Sequence, residues 1–232
     1  MNAFAAQTLP DPLPAEPLKL ARAWLEQATR ERVQPNPNAI VLATVDAAGR
    51  PSSRVVLCKE IAAPPGYLVF YTNYQSRKGE ELAASPRAAA LFYWDTLHRQ
   101  VRVEGPVLKS PASESDGYFA SRPWQSRVGA WASAQSRPVG SRAELVAALT
   151  AAGKRLNTPP IGPGAVADAD AAVEVPRPPH WGGYRLWAES VELWVEGEFR
   201  IHDRARFTRA LTPTPDGAAF TFTPWRGERL QP

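Results

Sequence analysis

The sequence has few of the residues from which disulfides and zinc sites are built. Its 232 residues include a single cysteine, Cys58, so no disulfide can form within the chain. The three histidines, His98, His180 and His202, lie far apart and lack the ligand spacing of a zinc site. We therefore expect no metal centre and a reducing compartment.

Long hydrophobic runs are also missing. No stretch approaches the roughly 20 apolar residues that cross a bilayer, and the N-terminal residues lack the cationic and apolar segments of a signal peptide. The net charge is +4, but the basic residues are spread singly instead of in blocks, which does not favour a bulk nucleic-acid surface. The expected protein is cytoplasmic, with neither a membrane nor a nucleic acid as its partner.

Nucleotide-binding glycine motifs are absent too. The chain contains no G-x-G-x-x-G and no G-x-x-x-x-G-K-[ST], so neither a dinucleotide-binding Rossmann site nor a P-loop is expected. A folded core is expected, since 44% of the residues are hydrophobic and eight are Trp. No linker divides the strand-rich parts, which predicts one domain over residues 18–232. Residues 1–17 are predicted to form a mobile tail, and the Pro-, Gly- and Ala-rich residues 157–175 an insertion.

Short strand-like segments, with helices inserted between them, run through the rest of the chain. The predicted strands are Ala39–Val45, Pro51–Glu60, Tyr67–Thr72, Ala88–Trp94, His98–Lys109, Tyr184–Glu196, Glu198–His202 and Ala219–Pro224. The predicted helices begin near Leu18, Ser76, Ser113, Ser126 and Ser141. This order favours a mainly β (α+β) fold, an antiparallel barrel with peripheral helices, over a parallel doubly wound sheet.

The stretch from Tyr67 to Leu82 has the pattern of an anion cradle. An apolar strand ends in polar turn residues, Ser76 is a candidate N-cap, and Arg77 and Lys78 then fall in the first helical turn. Two cations beside the positive end of a helix dipole are unfavourable unless an anion offsets them. The alternative is a helix start whose cations face water.

Two further groups of polar residues are candidates for binding anions. Arg54 and Lys59 lie in a strand otherwise built for burial and have opposite parity. Either a bulge or the strand end turns one of them, or they serve different ligands, or both face water at strand edges. Tyr118 and Arg122 are four residues apart on one predicted helix face, and Ser126 is a candidate N-cap of the next helix, where a phosphate can bind.

Three cationic or titratable residues, Arg200, His202 and Arg204, are spaced two apart near the C-terminus. In an extended strand their side chains point the same way. The alternative is a solvated strand edge. Trp194, taken alone, is more typical of a core than of a ligand contact.

Taken in order, ten short stretches resemble the pyridoxamine 5′-phosphate oxidase family, also called pyridoxal 5′-phosphate synthase, from about Leu18 to Pro232. None is specific alone, but ten in register are. They are Arg54–Lys59, Tyr71–Thr72, Ser76–Lys78, Arg99–Val101, Tyr118–Pro123, Gln135–Ser136, Trp181–Tyr184, Glu192–Trp194, Arg200–Arg204 and Arg229–Pro232. Residues 157–175 depart from the family pattern.

The resemblance implies an FMN-binding split β-barrel that works as a homodimer with the flavin between subunits. The implied flavin contacts are Arg54, Val55, Val56, Leu57, Cys58, Lys59, Tyr71, Thr72, Arg77, Lys78, Gln100, Gln135, Ser136, Trp194 and Arg204. The implied substrate contacts are Lys59, Tyr118, Arg122, Ser126, Arg200 and His202, and of these Arg200 and His202 are the candidate catalytic residues. The separate cation-and-hydroxyl sets found above agree with one phosphate site for FMN and another for the substrate.

The resemblance also implies an activity in vitamin B6 metabolism. The expected enzyme oxidises pyridoxine 5′-phosphate and pyridoxamine 5′-phosphate to pyridoxal 5′-phosphate with FMN, passes the electrons to O2 and releases H2O2. One alternative is a related oxidase that acts on another ring, as in phenazine biosynthesis. Another is a non-catalytic module that binds flavin or nucleic acid, which the sequence pI of about 9.4 suggests.

Overall fold

The computed structural model describes residues 8–163 and 173–232. The α-helices within these residues are α1 (Pro17–Arg30), α2 (Arg77–Ala84), α3 (Ala112–Ala120), α4 (Trp124–Ala132) and α5 (Arg142–Arg155). The strands are β1 (Ala39–Val45), β2 (Pro51–Ala62), β3 (Tyr67–Asn73), β4 (Arg87–Trp94), β5 (Arg99–Lys109), β6 (Trp181–Trp187), β7 (Ser190–Val195), β8 (Asp203–Thr208), β9 (Leu211–Pro213), β10 (Phe220–Phe222) and β11 (Arg226–Leu230). None of these helices is long and apolar enough to cross a bilayer.

Nine strands form one antiparallel sheet in the order β11-β8-β7-β5-β4-β1-β2-β3-β6, and β6 pairs again with β5. This second pairing closes β5, β4, β1, β2, β3 and β6 into a six-stranded barrel, from which β7, β8 and β11 extend as a wing. The predicted mainly β fold, an antiparallel barrel with peripheral helices, is confirmed.

The long strand β5 serves both the barrel and the wing. Its first half pairs with β7, from Arg99 to Glu104, and its second half pairs with β6, from Val107 to Lys109. The strand changes partner at Gly105, where a Cβ atom would lie 1.9 Å from the main-chain oxygen of Trp187. Only glycine permits this close approach of two backbones.

The core lies inside the barrel and follows from strand alternation. On β5 the side chains of Val101 and Val103 are fully buried, while the side chains of Gln100, Arg102 and Glu104 share the outer face. Helix α1 covers one side of the barrel with an apolar stripe. The buried residues of that stripe are Leu18, Ala21, Trp24 and Ala28.

The predicted starts of two helices were wrong. Helix α3 begins at Ala112 behind Pro111, not through a capping box at Ser113, and α4 begins at Trp124 behind Pro123, so that Ser126 lies in its first turn. The fixed φ of proline favours a helix start without a side-chain cap. By contrast, Ser76 caps α2 and Ser141 caps α5, as predicted. Helix α5 is less buried than α1, and its Leu145 is 52% exposed.

The predicted strand Glu198–His202 was also wrong. Residues Glu198–Arg200 form a short 3₁₀ turn, with Phe199 at φ 53° and Arg200 at φ 65°, and β8 begins only at Asp203. The turn is closed because the Ile201 N–H donates to the Glu198 carbonyl oxygen at 2.9 Å. Strand alternation therefore does not align the side chains of residues 200, 202 and 204.

The predicted tail and the predicted insertion lie partly outside the described residues. Residues 1–7 of the predicted tail are not described, but Leu9 is 2% exposed and its N–H donates to Asp203 Oδ2 at 2.7 Å. Residues 164–172 of the predicted insertion are likewise outside, whereas Val175 is 3% exposed. The mobility of the tail and the assignment of the insertion stay predictions.

Candidate active site

A cavity of about 590 Å³ lies against β2 and β3, with α3 and α4 on its other side. The sequence-predicted residues that line it are Val55, Val56, Leu57, Lys59, Tyr71, Thr72, Lys78, Tyr118, Arg122, Ser126 and Gln135. The predicted residues that do not line it are Arg54, Cys58, Arg77, Gln100, Ser136, Trp194, Arg200, His202 and Arg204. The structure thus brings Lys59 and Lys78 together with Arg122, which follows α3, but it does not bring the C-terminal residues to the cavity.

One end of the cavity is marked by Lys78, which is 8% exposed. Its Nζ donates hydrogen bonds to Thr72 Oγ1 at 3.0 Å, Ser76 Oγ at 3.1 Å and Gln135 Oε1 at 3.0 Å. Burial, followed by the positive charge of Arg54, lowers the pKa of Lys78 to about 8. Because all three acceptors are neutral, this ammonium group is well suited to an anion from solution.

The neighbouring arginines are held by an anion of the protein itself, Glu81, which is 4% exposed. Arg54 Nη2 donates to Glu81 Oε2 at 3.0 Å and Arg77 Nε donates to Glu81 Oε1 at 2.8 Å. Burial alone raises the pKa of Glu81, but hydrogen bonds from Thr44, Ser52 and the two arginines outweigh it and lower the pKa to about 2. Sequence reasoning missed Glu81, although its position four residues after Arg77 was a usable signal.

Strand β2 contains a β-bulge, which was one of the possibilities left open for the orientation of Arg54 and Lys59. Its register with β3 shifts between Cys58 and Glu60, so the extra residue is Lys59. Lys59 lines the cavity, whereas Arg54 is turned to Glu81, so the two cations have different surroundings. Cys58 is 2% exposed within the core, where burial raises the pKa of its thiol to about 12. Any contact of Cys58 with a molecule in the cavity would come from its main chain.

The second cationic end of the cavity is built on aromatic rings. The Arg122 guanidinium carbon lies 4.8 Å from the centre of the Trp181 ring and 5.7 Å from that of Phe119, and Lys59 Nζ lies 5.5 Å from the centre of the Tyr118 ring. Arg122 Nη1 is buried without a hydrogen-bond partner. No carboxylate of the described residues pairs with either cation, so both charges remain available to an anion.

Three of the rings that line the cavity form a nearly parallel stack. The rings of Tyr71 and Tyr118 are 4.0 Å apart at 18°, and the Trp181 ring lies within 10° of both. The Tyr71 hydroxyl donates to Glu114 Oε1 at 3.4 Å, and burial, followed by the charge of Glu114, raises the pKa of Tyr71. Glu114 is itself held by Arg185 Nε at 3.0 Å. The stack forms a rigid, flat wall for the cavity.

The C-terminal candidates form a separate row on the wing. Gln100 of β5 pairs with Trp194 of β7, which pairs with Arg204 of β8. The His202 ring lies 4.8 Å from the Trp194 ring, and His202 Nδ1 accepts the Gly197 N–H at 3.2 Å. Within one chain this row lies away from the cavity, because β7 and β8 extend the sheet beyond β5 whereas the cavity lies on β2 and β3.

Comparison with known proteins gives the same two regions. Residues 25–154 match the family model of pyridoxamine 5′-phosphate oxidase. The chain belongs to the pyridoxamine 5′-phosphate oxidase family. Residues 181–232 match the C-terminal dimerisation region of pyridoxine 5′-phosphate oxidase. The unmatched residues 155–180 contain the whole of the predicted insertion, residues 157–175.

Several relatives carry the family name. The pyridoxine/pyridoxamine 5′-phosphate oxidase of Burkholderia orbicola is 47% identical over 209 residues, which cover 90% of this chain and 86% of that protein. The corresponding protein of Brucella canis is 46% identical over 220 residues, covering 94% and 95%. The chain also resembles the crystal structure of PhzG from Burkholderia lata in complex with tetrahydrophenazine-1-carboxylic acid, with 30% identity, a TM-score of 0.76 and 94% of each chain covered. An FMN-binding protein from Nostoc punctiforme shares the fold at a TM-score of 0.63 and 18% identity, covering 93% and 98%.

Within this family assignment, the two groups of residues fall largely into the two matched regions, although Gln100 of the row lies in the oxidase match. The cavity is built mainly from residues of the oxidase match, whereas Trp194, Arg200, His202 and Arg204 lie in the dimerisation region. The exception among the cavity residues is Trp181, at the start of the dimerisation region. Sequence reasoning had included Trp181 only as part of a motif and had given it no role.

Proposed function

We propose that this chain is an FMN-dependent oxidase that converts pyridoxine 5′-phosphate and pyridoxamine 5′-phosphate to pyridoxal 5′-phosphate, with O2 as the electron acceptor and H2O2 as the second product. The observation that carries the proposal is that two groups of cations line one cavity, Lys78 in the first and Arg122 with Lys59 in the second. A reaction between a phosphorylated flavin and a phosphorylated substrate needs two such places. The names of the relatives agree with it.

The Lys78 end fits the phosphate of FMN. Lys78 is a buried ammonium with only neutral acceptors, and it lies in the first turn of α2, where the backbone favours negative charge. Arg77, whose side chain is 62% exposed, adjoins it and donates through Nε to Glu81. Val55 and Leu57 are exposed apolar side chains that offer a surface for a flat ring. FMN, when bound, supplies the group that accepts the two electrons.

The other end fits the substrate phosphate. Lys59 and Arg122 are cations without carboxylate partners, and Tyr118 and Ser126 add hydroxyl groups beside them. A phosphate dianion can accept several charge-assisted hydrogen bonds from this set. The residues would hold the pyridine ring in a fixed orientation, which is the main contribution of a protein whose cofactor carries the chemistry.

In a homodimer, the C-terminal candidates on the wing of one subunit would complete the site in the cavity of the other subunit. The outer face of the barrel exposes Val41, Val55 and Tyr93, at 41%, 64% and 48%, and Val41 pairs with Val55. Tyr93 pairs with Gln100, so this apolar face runs directly into the row. Exposed apolar patches of this kind are typical of interfaces. In a homodimer, Gln100, Trp194 and Arg204 would contact the flavin, and Arg200 and His202 the substrate.

The role of His202 in that arrangement follows from its hydrogen bond. Because Nδ1 accepts the Gly197 N–H, the neutral ring carries its proton on Nε2. The Nε2–H group is therefore the donor that orients the substrate. Arg200 would add a second polar contact from the same turn.

The two-subunit site can be tested by mixing two inactive variants. Arg122→Ala removes a contact of the cavity, and the double variant Arg200→Leu/His202→Asn removes contacts of the wing. In a mixed dimer one site carries all the changes and the other carries none, so random exchange of subunits should restore about one quarter of wild-type activity. A mixture no more active than the mean of its components would contradict a shared site.

The substrate can be tested by reduction of the bound flavin without oxygen. We expect pyridoxine 5′-phosphate to bleach the flavin absorbance far faster than pyridoxine, because only the former engages Arg122 and Lys59. The second candidate function, oxidation of a phenazine precursor, is favoured by the resemblance to PhzG. Faster bleaching by tetrahydrophenazine-1-carboxylic acid would support that function and contradict the proposed one.

A further inference from the structure

We infer that Trp181 is a positioning residue that holds the Arg122 guanidinium in place for the substrate phosphate and thereby sets the preference for phosphorylated over unphosphorylated ligands. This inference rests on the proposed function. Trp181 lines the cavity and is 7% exposed, with the Arg122 guanidinium carbon 4.8 Å from its ring centre. Trp is the aromatic residue that binds cations most strongly.

The way in which Arg122 is held keeps its charge available. A carboxylate partner would occupy two of the five guanidinium N–H groups and cancel the charge. In this structure Arg122 instead rests against Trp181 and Phe119, and its buried Nη1 has no hydrogen-bond partner. An aromatic face fixes the position of a guanidinium while leaving its donors free. The Arg122 guanidinium is therefore already positioned to bind an anion in the absence of the ligand.

Trp181 is itself fixed from several sides. Its ring is stacked on Tyr71 at 5.5 Å and contacts the edge of Phe119 at 4.9 Å. Its carbonyl oxygen accepts a hydrogen bond from Arg177 Nη1 at 2.7 Å. The next residue, Gly182, lies so close to Tyr74 that a Cβ would be 2.1 Å from the tyrosine oxygen. These contacts do not involve a ligand, so the ring is a preformed support for Arg122.

The test compares a phosphorylated and an unphosphorylated ligand in equilibrium binding to the FMN-loaded protein. The ligands are 4-deoxypyridoxine 5′-phosphate and 4-deoxypyridoxine, which lack the group that is oxidised. Trp181→Leu should reduce the affinity ratio of the two ligands about tenfold, and Trp181→Phe should reduce it less, because a phenyl ring binds cations more weakly than an indole. Trp187→Phe, on the same strand and in contact with Tyr67 instead of Arg122, should leave the ratio unchanged.

The same substitutions in an Arg122→Gln protein show whether Trp181 acts through Arg122 or whether its replacement only loosens the packing. In Arg122→Gln the ratio should already be low, and adding Trp181→Phe should not lower it further. The inference is overturned if Trp181→Phe and Trp181→Leu weaken both ligands equally, or if Trp181→Phe still lowers the ratio in the Arg122→Gln background. If Trp181→Leu does not fold, Trp181→Phe alone decides. Failure of the proposed function would look different, because the wild-type protein would then bind the two ligands equally.

Discussion

Arg77 Nε donates to Glu81 Oε1 at 2.8 Å, one helical turn further along α2. One of the two cations at the start of this helix is thus paired within the protein, whereas its neighbour Lys78 has only neutral acceptors. The sequence predicted that an anion offsets the two cations at this helix start. In the structure the buried Glu81 pairs with Arg77, whereas Lys78 lines the cavity, where an anion from solution can bind.

We predict that replacing Lys78 by Ala weakens FMN binding more than replacing Arg77 by Ala, because only the charge of Lys78 lacks an internal carboxylate. Each lost charge-assisted contact is worth on the order of 1.5–3 kcal/mol, which is about a ten- to hundredfold rise in Kd. Titration of the apoprotein with FMN measures the effect. Arg142→Ala is a matched control, since Arg142 also follows a serine N-cap, in α5. A Lys78→Ala/Arg77→Ala variant with full affinity would show that both cations are merely solvated.

FMN affinity should also fall as the pH rises through about 8. Burial lowers the pKa of Lys78 to about 8, below its ordinary value of 10.5, so the apoprotein loses this proton before the unfolded chain does. The buried, charged Lys78 therefore lowers the free energy of unfolding at low pH. This destabilisation disappears as the pH rises from 8 to 10.5. A bound phosphate stabilises the ammonium form, so deprotonation and binding oppose each other.

The measurement is the Kd of FMN between pH 7 and 9, with riboflavin as the ligand that lacks a phosphate. Lys78→Arg keeps its charge over this range and should give a flat profile. If Lys78→Arg shows the same decline as the wild-type protein, another group causes it.

The elements that could be predicted from sequence are those whose pattern is local. Helix α1 buries one face, so the period of its apolar residues was sufficient, and strand β1 was predicted from a short, mostly apolar run that is followed by a turn. The N-caps Ser76 and Ser141 were also readable, because the capped N–H group lies only three residues further along the chain.

The remaining features depend on contacts that no local pattern encodes. The turn at residues 198–202 is held by bonds from Ile201 to Glu198 and from Gly197 to the His202 ring, and an alternating sequence gives no sign of either. The separation of Trp194 from Lys78 follows from the sheet order, in which β7 pairs with β5 and not with β3. Strand order is a long-range property, so sequence reasoning treated the two groups as one list of contacts.

Arg200→Leu and His202→Asn should each lower kcat/KM about tenfold or more while FMN remains bound, since each 1.4 kcal/mol of lost positioning is a factor of ten. His202 presents its Nε2–H because Nδ1 is occupied by Gly197, and the substitutions remove these orienting contacts. Steady-state kinetics together with the flavin absorbance of the purified variants measure both effects. Arg206→Leu, an exposed neighbour paired with Glu228, is the control. Wild-type turnover would remove Arg200 and His202 from the site, and loss of flavin would move them to the cofactor contacts.

Shortening the insertion should leave turnover intact. The insertion was predicted at residues 157–175, but Val175 is 3% exposed and Ile161 packs in the same apolar cluster, so the replacement should be confined to residues 164–172. A short Gly/Ser linker in their place is expected to give wild-type kcat and KM, with thermal unfolding as the check on the fold. A folded variant without turnover would identify the segment as a functional lid.

The most direct test of the central claim is to mix the purified protein with pyridoxine 5′-phosphate in air and to measure bound flavin, aldehyde and H2O2 in the same sample. We predict a yellow protein that forms pyridoxal 5′-phosphate and H2O2 in equal amounts, and that does so far more slowly with pyridoxine. A protein that retains no FMN, or one that binds FMN but forms no aldehyde from the phosphorylated substrate, would contradict the account.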